Sequence, residues 1–120
     1  MPTVLLVEDE PSIRAFIALY LGRMSLEVIE AHDAGAALEQ LHLHPDVALV
    51  LTDYLMPGMT GLALAERIRS EGFGNIPVVI ITAYKDKIPD DAPVTLVLEK
   101  PIRFEVLKAA LAPLIPGRQP

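Results

Sequence analysis

Three acidic residues in a row, Glu8-Asp9-Glu10, follow directly on the apolar run Val4 to Val7. Later apolar runs end in a carboxylate, Asp53, and in a hydroxyl, Thr82, and another is followed by the pair Lys100-Pro101. Together these residues offer oxygens to a cation, a hydroxyl to a hydrogen bond and an ammonium to an anion. Each alone has an ordinary explanation: loops are acidic, a threonine can end a strand, and a lysine is usually solvated. The combination is harder to dismiss, because all these polar residues follow apolar runs while the segments between them supply little else that is reactive.

The elements that must position them alternate. Thr3 to Val7, Leu26 to Glu30, Val47 to Thr52, Pro77 to Thr82 and Val94 to Leu98 read as strands. Three are almost wholly apolar, as strands covered on both faces should be. Between the first two, Ile13, Phe16, Ile17, Tyr20, Leu21 and Met24 fall at helical spacing, with Pro11 suited to the first turn. A second helix is expected from the cap Asp33, with Ala34, Ala37, Leu38 and Leu41 on one stripe, and Pro45 to stop it. A third runs from Thr60 to about Ser70. A last one starts near Arg103, carries Phe104, Leu107 and Leu111 on one face, and should end or kink at Pro113. The Pro-Gly tail after Ile115 is expected to fray. Strands alternating with helices favour an α/β domain, a parallel sheet with right-handed crossovers and helices on both faces. In such a sheet ligands sit outside the carboxyl ends of the strands, where the polar residues are.

Val-Glu-Asp-Glu, Leu-Thr-Asp-Tyr-Leu-Met-Pro-Gly-Met-Thr-Gly, Ile-Thr-Ala and Glu-Lys-Pro occur in the order found in response-regulator receiver domains, which the chain resembles over nearly its whole length. The stretch Asp53 to Gly61 is the most specific part. The resemblance implies a doubly wound, flavodoxin-like five-stranded sheet of order 2-1-3-4-5 in one domain spanning 1–120. It implies a phosphorelay switch in which Asp53 takes a phosphoryl group from a histidine kinase or histidine phosphotransfer protein. A carboxylate can attack phosphorus to give a mixed anhydride, which agrees with that role.

The resemblance further implies Mg2+, with Mn2+ as a substitute, ligated by Asp9, Asp53 and the backbone carbonyl of Leu55, with Glu8 completing the pocket through a coordinated water. Thr82 and Lys100 would each bind a phosphoryl oxygen, and Pro101 would hold Lys100 through a cis peptide bond. Such a chain is not a conventional enzyme, although it would assist its own aspartyl phosphorylation and dephosphorylation. Pro57, Gly58 and Gly61 belong to the loop that leads from Asp53 to the third helix and need no chemical role. His32, His42 and His44 lie off the rim and are expected to be solvated. Met24, Met56 and Met59 need only packing or loop roles.

Two departures from the family pattern concern signalling. Where receivers commonly carry an aromatic residue three positions before the lysine, this chain has Val97. Tyr84 to Pro93 has no apolar stripe and contains Pro89 and Pro93, so at most a short helix is expected where the fourth helix should form. The usual partner face is expected to be remodelled, with Tyr84 a substitute aromatic in a segment whose order changes on phosphorylation.

Composition bounds the alternatives. Hydrophobic residues make up 52% against 22% charged, which places the chain among folded globules. A formal charge of -6 opposes direct binding of nucleic acid. The absence of cysteine excludes disulfides and thiolate metal sites and suits a cytoplasmic setting. The run Val4 to Val7 is too short for a signal core or a membrane span. A flavin-binding module would want hydroxyls and backbone donors where Glu8-Asp9-Glu10 stands, and an aspartyl phosphatase would want an acid at Leu55. An interaction domain that keeps the fold without using phosphate stays open, as do a free-standing regulator and a receiver within a longer protein.

Overall fold

The computed structural model describes residues 1–116; the expected fraying of the tail falls on residues 117–120, outside the described residues. The strands are β1 (Thr3–Val7), β2 (Glu27–Ala31), β3 (Leu49–Asp53), β4 (Val78–Thr82) and β5 (Leu96–Glu99). They form one parallel sheet in the order β2-β1-β3-β4-β5, the expected doubly wound topology. Most boundaries move by one or two residues toward the C-terminus of each expected run, so Asp53 is the last residue of β3. Val47 N and Ala48 N donate to the His44 and Thr3 carbonyls just ahead of β3, which begins at Leu49.

β1, β3 and β4 are buried along their whole length because helices cover both faces. One core packs Leu6, Leu51, Val79 and Ile81 against α1 (Pro11–Arg23) and α4 (Phe104–Leu111). The other packs Leu5, Val50 and Val78 against α2 (Ala34–Leu43) and α3 (Gly61–Ser70). Alternate residues of each strand thus feed opposite cores.

The caps follow the sequence. Asp33 Oδ1 accepts from Ala36 N at 2.8 Å, and Thr60 Oγ1 accepts from Ala63 N at 3.1 Å. Pro11 occupies the first turn of α1, and α4 gives way to a 3-10 turn, Ala112–Leu114, at Pro113. The structure divides two of the expected helix faces between core and surface. The apolar series of α1 is wider than its buried stripe: Ile17, Leu21 and Met24 are buried, but Ile13 and Phe16 are 40% and 55% exposed. In α4, Leu107 and Leu111 are buried, while Phe104 stays at the core margin beside Tyr20, with the Arg23 guanidinium over its ring.

Between β4 and β5 the chain forms only a 3-10 turn, Lys85–Lys87, as Pro89 and Pro93 lead one to expect. Among the described residues this is the one crossover without an α-helix.

Gly61 proves to be more than a turn residue. A β-carbon there would collide with the backbone carbonyl oxygen of Asp53 and lie 3.2 Å from Thr52 Cγ2. The first turn of α3 therefore packs directly on the end of β3. Gly61→Ala should lower unfolding free energy by about 1–3 kcal/mol, read from urea denaturation. Gly58, at φ +84° with open space around it, should instead lose only the smaller conformational part, about 1 kcal/mol, on replacement by alanine.

Candidate functional site

Parallel strands all end on one rim, and there the ladders are extended by a few backbone bonds that fix the polar residues. Glu8 N donates to Ala31 O at 3.1 Å, continuing the β1–β2 ladder by one residue. Tyr54 N donates to Ile81 O at 3.0 Å, and Lys100 N donates to Thr82 O at 2.9 Å. Glu8, Asp53, Thr82 and Lys100 are thus held by the sheet rather than by free loops.

Glu8, Asp9 and Asp53 each contribute a carboxylate oxygen to a group lying within 4.8 Å of one another. Glu8 is buried at 2% exposure and Asp53 at 9%, whereas Asp9 is exposed. Lys100 Nζ lies 3.1 Å from Asp53 Oδ1 and 3.9 Å from Glu8 Oε1, so the lysine is engaged rather than solvated. Asp53 Oδ1 also accepts from Tyr54 N at 2.9 Å, which leaves Oδ2 without a hydrogen bond among the described residues. Glu8 Oε2 accepts from Glu10 N at 3.1 Å, but Oε1 is buried and has no hydrogen-bond partner.

An orphaned carboxylate oxygen beside two further carboxylates is a donor set for a hard cation, which takes oxygen ligands and is favoured by concentrated negative charge. One ammonium cannot balance three carboxylates, and Glu8 shows the consequence. Its pKa is raised to about 7, chiefly by burial, with the Asp53 charge adding to the effect. The Glu10 backbone N–H and the Lys100 charge oppose that rise without cancelling it.

Glu10 is not part of this group. It caps α1, its Oε1 accepting from Ser12 N and Ser12 Oγ, both at 2.8 Å, and those bonds lower its pKa. Thr82 is buried at the end of β4, and its Oγ1 accepts from Tyr84 N at 2.8 Å. Tyr84 is 43% exposed, with Lys87 Nζ 5.0 Å from its ring centre. Val97 is half-buried in β5 and pairs with Ile80 of β4. Leu55 has an exposed side chain in the loop after β3, in which Pro57 and Gly58 are exposed as well. The Lys100–Pro101 peptide is cis, as the resemblance implies. His32 pairs with Asp33 at 3.4 Å on the surface, His42 meets the Phe73 ring edge-on, and His44 ends α2. Met24 is buried and Met56 and Met59 pack against the second core, as expected.

Sequence reasoning missed three supporting residues. Thr52 Oγ1 donates to Asp53 O at 2.9 Å, steadying the main chain at the end of β3. Tyr54 ties that end to α3, its carbonyl accepting from Gly61 N at 2.8 Å. Arg14 Nη1 donates to Glu8 O at 2.8 Å and Nε to Glu30 at 3.0 Å, clamping the acidic loop to β2. A cation in the first turn of a largely apolar helix, just after three acids, was the available signal for Arg14.

Because folded Glu8 holds its proton up to about pH 7 and an unfolded glutamate releases it near 4.5, the group favours the native state at low pH. In EDTA, native stability should therefore fall by about 2–3 kcal/mol as pH rises from 5 to 8. Glu8→Gln should flatten that slope in urea titrations; an equally steep slope in the variant would refute the role given to Glu8.

The geometry agrees with what known proteins show. The response regulator receiver domain family matches residues 4–112. The response regulator GtcR of Aneurinibacillus migulanus is 37% identical over 81 residues, covering 68% of this chain and 32% of GtcR. Chemotaxis protein CheY1 of Helicobacter pylori strain ATCC 700392 / 26695 is 34% identical over 114 residues, covering 90% of this chain and 92% of CheY1. The chain thus spans about a third of one relative and nearly all of another. Among solved structures, response regulator TrrA of Thermotoga maritima, in complex with Mg(2+)-BeF, superimposes with a TM-score of 0.87 at 28% identity, covering 96% of this chain and all of that one. No helix among the described residues is long and apolar enough to cross a membrane. With strand order, acidic rim and family match in agreement, the chain belongs to the response regulator receiver domains of two-component signalling.

Proposed function

We propose that this receiver is phosphorylated on Asp53 by a phosphohistidine donor and acts as a switch in a cytoplasmic phosphorelay. The observation that carries the reading is the setting of Asp53: Oδ1 is fixed by Tyr54 N and Lys100 Nζ, and Oδ2 is left free. Oδ2 forms the new bond to phosphorus, the bond from phosphorus to the donor imidazole breaks, and the electron pair leaves with the imidazole nitrogen. Lys100 stays beside the carboxylate to bind a phosphoryl oxygen, and Thr82 supplies its hydroxyl to another.

Asp9, Asp53 and the Leu55 carbonyl would ligate Mg2+ or Mn2+, with Glu8 acting through a coordinated water. The bound ion supplies positive charge that offsets both the phosphoryl oxygens and the crowded carboxylates. The TrrA structure, with its Mg(2+)-BeF, supports that reading. Glu8 then has a positioning part, because its orphaned Oε1 requires a cationic or protonated neighbour.

A histidine kinase or histidine phosphotransfer protein is the donor the surface favours. A cleft of about 510 Å³ lined by Ile13, Phe16, Tyr20, Pro101 and Ile102 also includes Lys100 in its wall, so an apolar docking surface adjoins the reacting group. The exposed Ile13 and Phe16 have a use there that core packing does not give them. No direct contact with nucleic acid is proposed.

Output is proposed to pass through Thr82 rather than through the residue at 97, where Val97 has no ring to swing. A hydroxyl drawn to the phosphoryl group gives up Tyr84 N, which then loses its acceptor at the head of the Lys85–Lys87 turn. The segment Tyr84 to Pro93 is the part whose order changes.

Intact-mass analysis after incubation with Mg2+ and acetyl phosphate should add one phosphoryl group to the wild type and none to Asp53→Asn. Label retained in Asp53→Asn would remove Asp53 from the role, and no label in either protein would favour a phosphate-independent interaction domain. Phe16→Ser should slow transfer from a phosphohistidine protein while leaving acetyl phosphate labelling unchanged. In the phosphorylated chain, amides from Tyr84 to Ala92 should exchange with deuterium several-fold faster than in the unmodified chain. Equal rates would show that this segment does not report phosphorylation.

A further inference from the structure

The loop that carries Asp9 is held at three points. Glu8 N donates to Ala31 O at the end of β2, and Glu10 caps α1 through Ser12. The third point is the Glu8 carbonyl, which accepts from Arg14 Nη1 at 2.8 Å. That oxygen belongs to the peptide joining Glu8 to Asp9. A peptide is planar, so fixing its oxygen restricts the direction in which the Asp9 side chain leaves the backbone. Asp9 is itself exposed, and packing does little to orient it. Arg14 does not act alone: its Nε donates to Glu30 Oε1 at 3.0 Å, and Glu30 lies in β2 opposite Leu6 of β1. A guanidinium is a rigid planar fork, so the acceptor at Nε aims the donor at Nη1. At 20% exposure the Arg14 side chain is mostly covered, which separates this pair from a solvated surface ion pair.

We propose that Arg14 is a positioning residue for the divalent cation: with Glu30 it fixes the peptide that enters Asp9, and so keeps the Asp9 carboxylate within reach of those of Glu8 and Asp53. Oxygens of these three carboxylates lie within 4.8 Å of one another. Glu8 follows β1 directly and Asp53 ends β3, so the sheet holds both, whereas Asp9 stands one residue further into the loop and depends on the clamp. Charge alone gives the opposite expectation. An arginine near a cation site repels the cation, so by Coulomb's law its removal would tighten metal binding, while loss of a positioning contact would weaken it. Groups that orient a metal ligand without touching the metal typically change affinity by about tenfold or more. The inference rests on the reading of these acids as a cation site and makes no use of phosphorylation.

The test titrates the full unphosphorylated chain with Mn2+, the free ion being followed by its electron paramagnetic resonance signal. Arg14→Ala should raise the dissociation constant about tenfold. Glu30→Gln should raise it by a smaller factor, because the guanidinium loses its charged partner but keeps the Glu8 carbonyl. Arg14→Ala/Glu30→Gln should bind no more weakly than Arg14→Ala, since the two residues act as one device. Arg14→Lys should fall between the wild type and Arg14→Ala, an ammonium reaching one acceptor without the fork. Urea denaturation in EDTA records the fold of each variant; if Arg14→Ala is unfolded, Glu30→Gln and Arg14→Lys carry the test. With acetyl phosphate, Arg14→Ala should need about tenfold more Mg2+ for half-maximal labelling and reach the wild-type rate at saturation, a split that general loosening of the fold would not give. Unchanged or tighter Mn2+ binding in Arg14→Ala would overturn the proposal, as would additive effects of the Arg14 and Glu30 changes. Asp9→Asn separates that failure from a wider one. If Asp9→Asn binds Mn2+ as tightly as the wild type, the acids are not the cation site and the inference falls with that reading; if Asp9→Asn weakens binding and Arg14→Ala does not, the inference alone falls.

Discussion

Too many negative charges for the available positive charge is the condition around which the rim of this sheet is organised. Three carboxylates approach within 4.8 Å of one another, and one ammonium, Lys100, stands among them. The buried Glu8 bears most of the imbalance, with one oxygen accepting from a backbone N–H and the other without a hydrogen bond, 3.9 Å from Lys100 Nζ. Burying a carboxylate without a partner is costly, so the site favours a proton or a cation there. The same imbalance makes the rim a seat for a hard cation, whose charge offsets that of the carboxylates.

That cost is sustained by the rigidity of what lies beneath. β1, β3 and β4 are wholly buried, so their ends are fixed by two cores and not by local loop preference. Thr52, Tyr54 and Gly61 then lock the end of β3 to the start of α3, and Arg14 ties the acidic loop to β2. A carboxylate held in this way has little freedom left to lose, which is the preorganisation that the proposed phosphoryl transfer would require.

Two faces of the molecule serve the rim differently. On the α1 side, apolar residues beyond the buried stripe stay exposed and border a cleft that shares Lys100 with the site. On the other side, the missing helix between β4 and β5 leaves Val97 under an open cleft with acidic walls. Thr82 joins the rim to this second face through one hydrogen bond to Tyr84, at the head of a short turn with few packing partners. Regions with little buried apolar contact are those most easily reordered.

Much of this was legible in the residues themselves. Alternation of apolar runs with helical stripes gave the strands and helices, because periodicity records which face each element must bury. Asp33, Thr60 and Pro11 marked helix starts because capping chemistry is local. The order of Glu8-Asp9, Asp53, Thr82 and Lys100 along the chain, read against a known family, pointed to one rim. The tertiary structure alone decided the rest. It divided the apolar residues of α1 between core and surface, since periodicity cannot tell how wide a stripe the neighbouring strands will cover. It separated Glu10, which caps a helix, from Glu8, which is buried, although the two carry the same side chain two positions apart. It also gave Gly61 its reason, a close approach to the Asp53 carbonyl from an element that begins several residues later. Local preferences are written in consecutive residues, whereas burial and close approach depend on what other parts of the chain bring near.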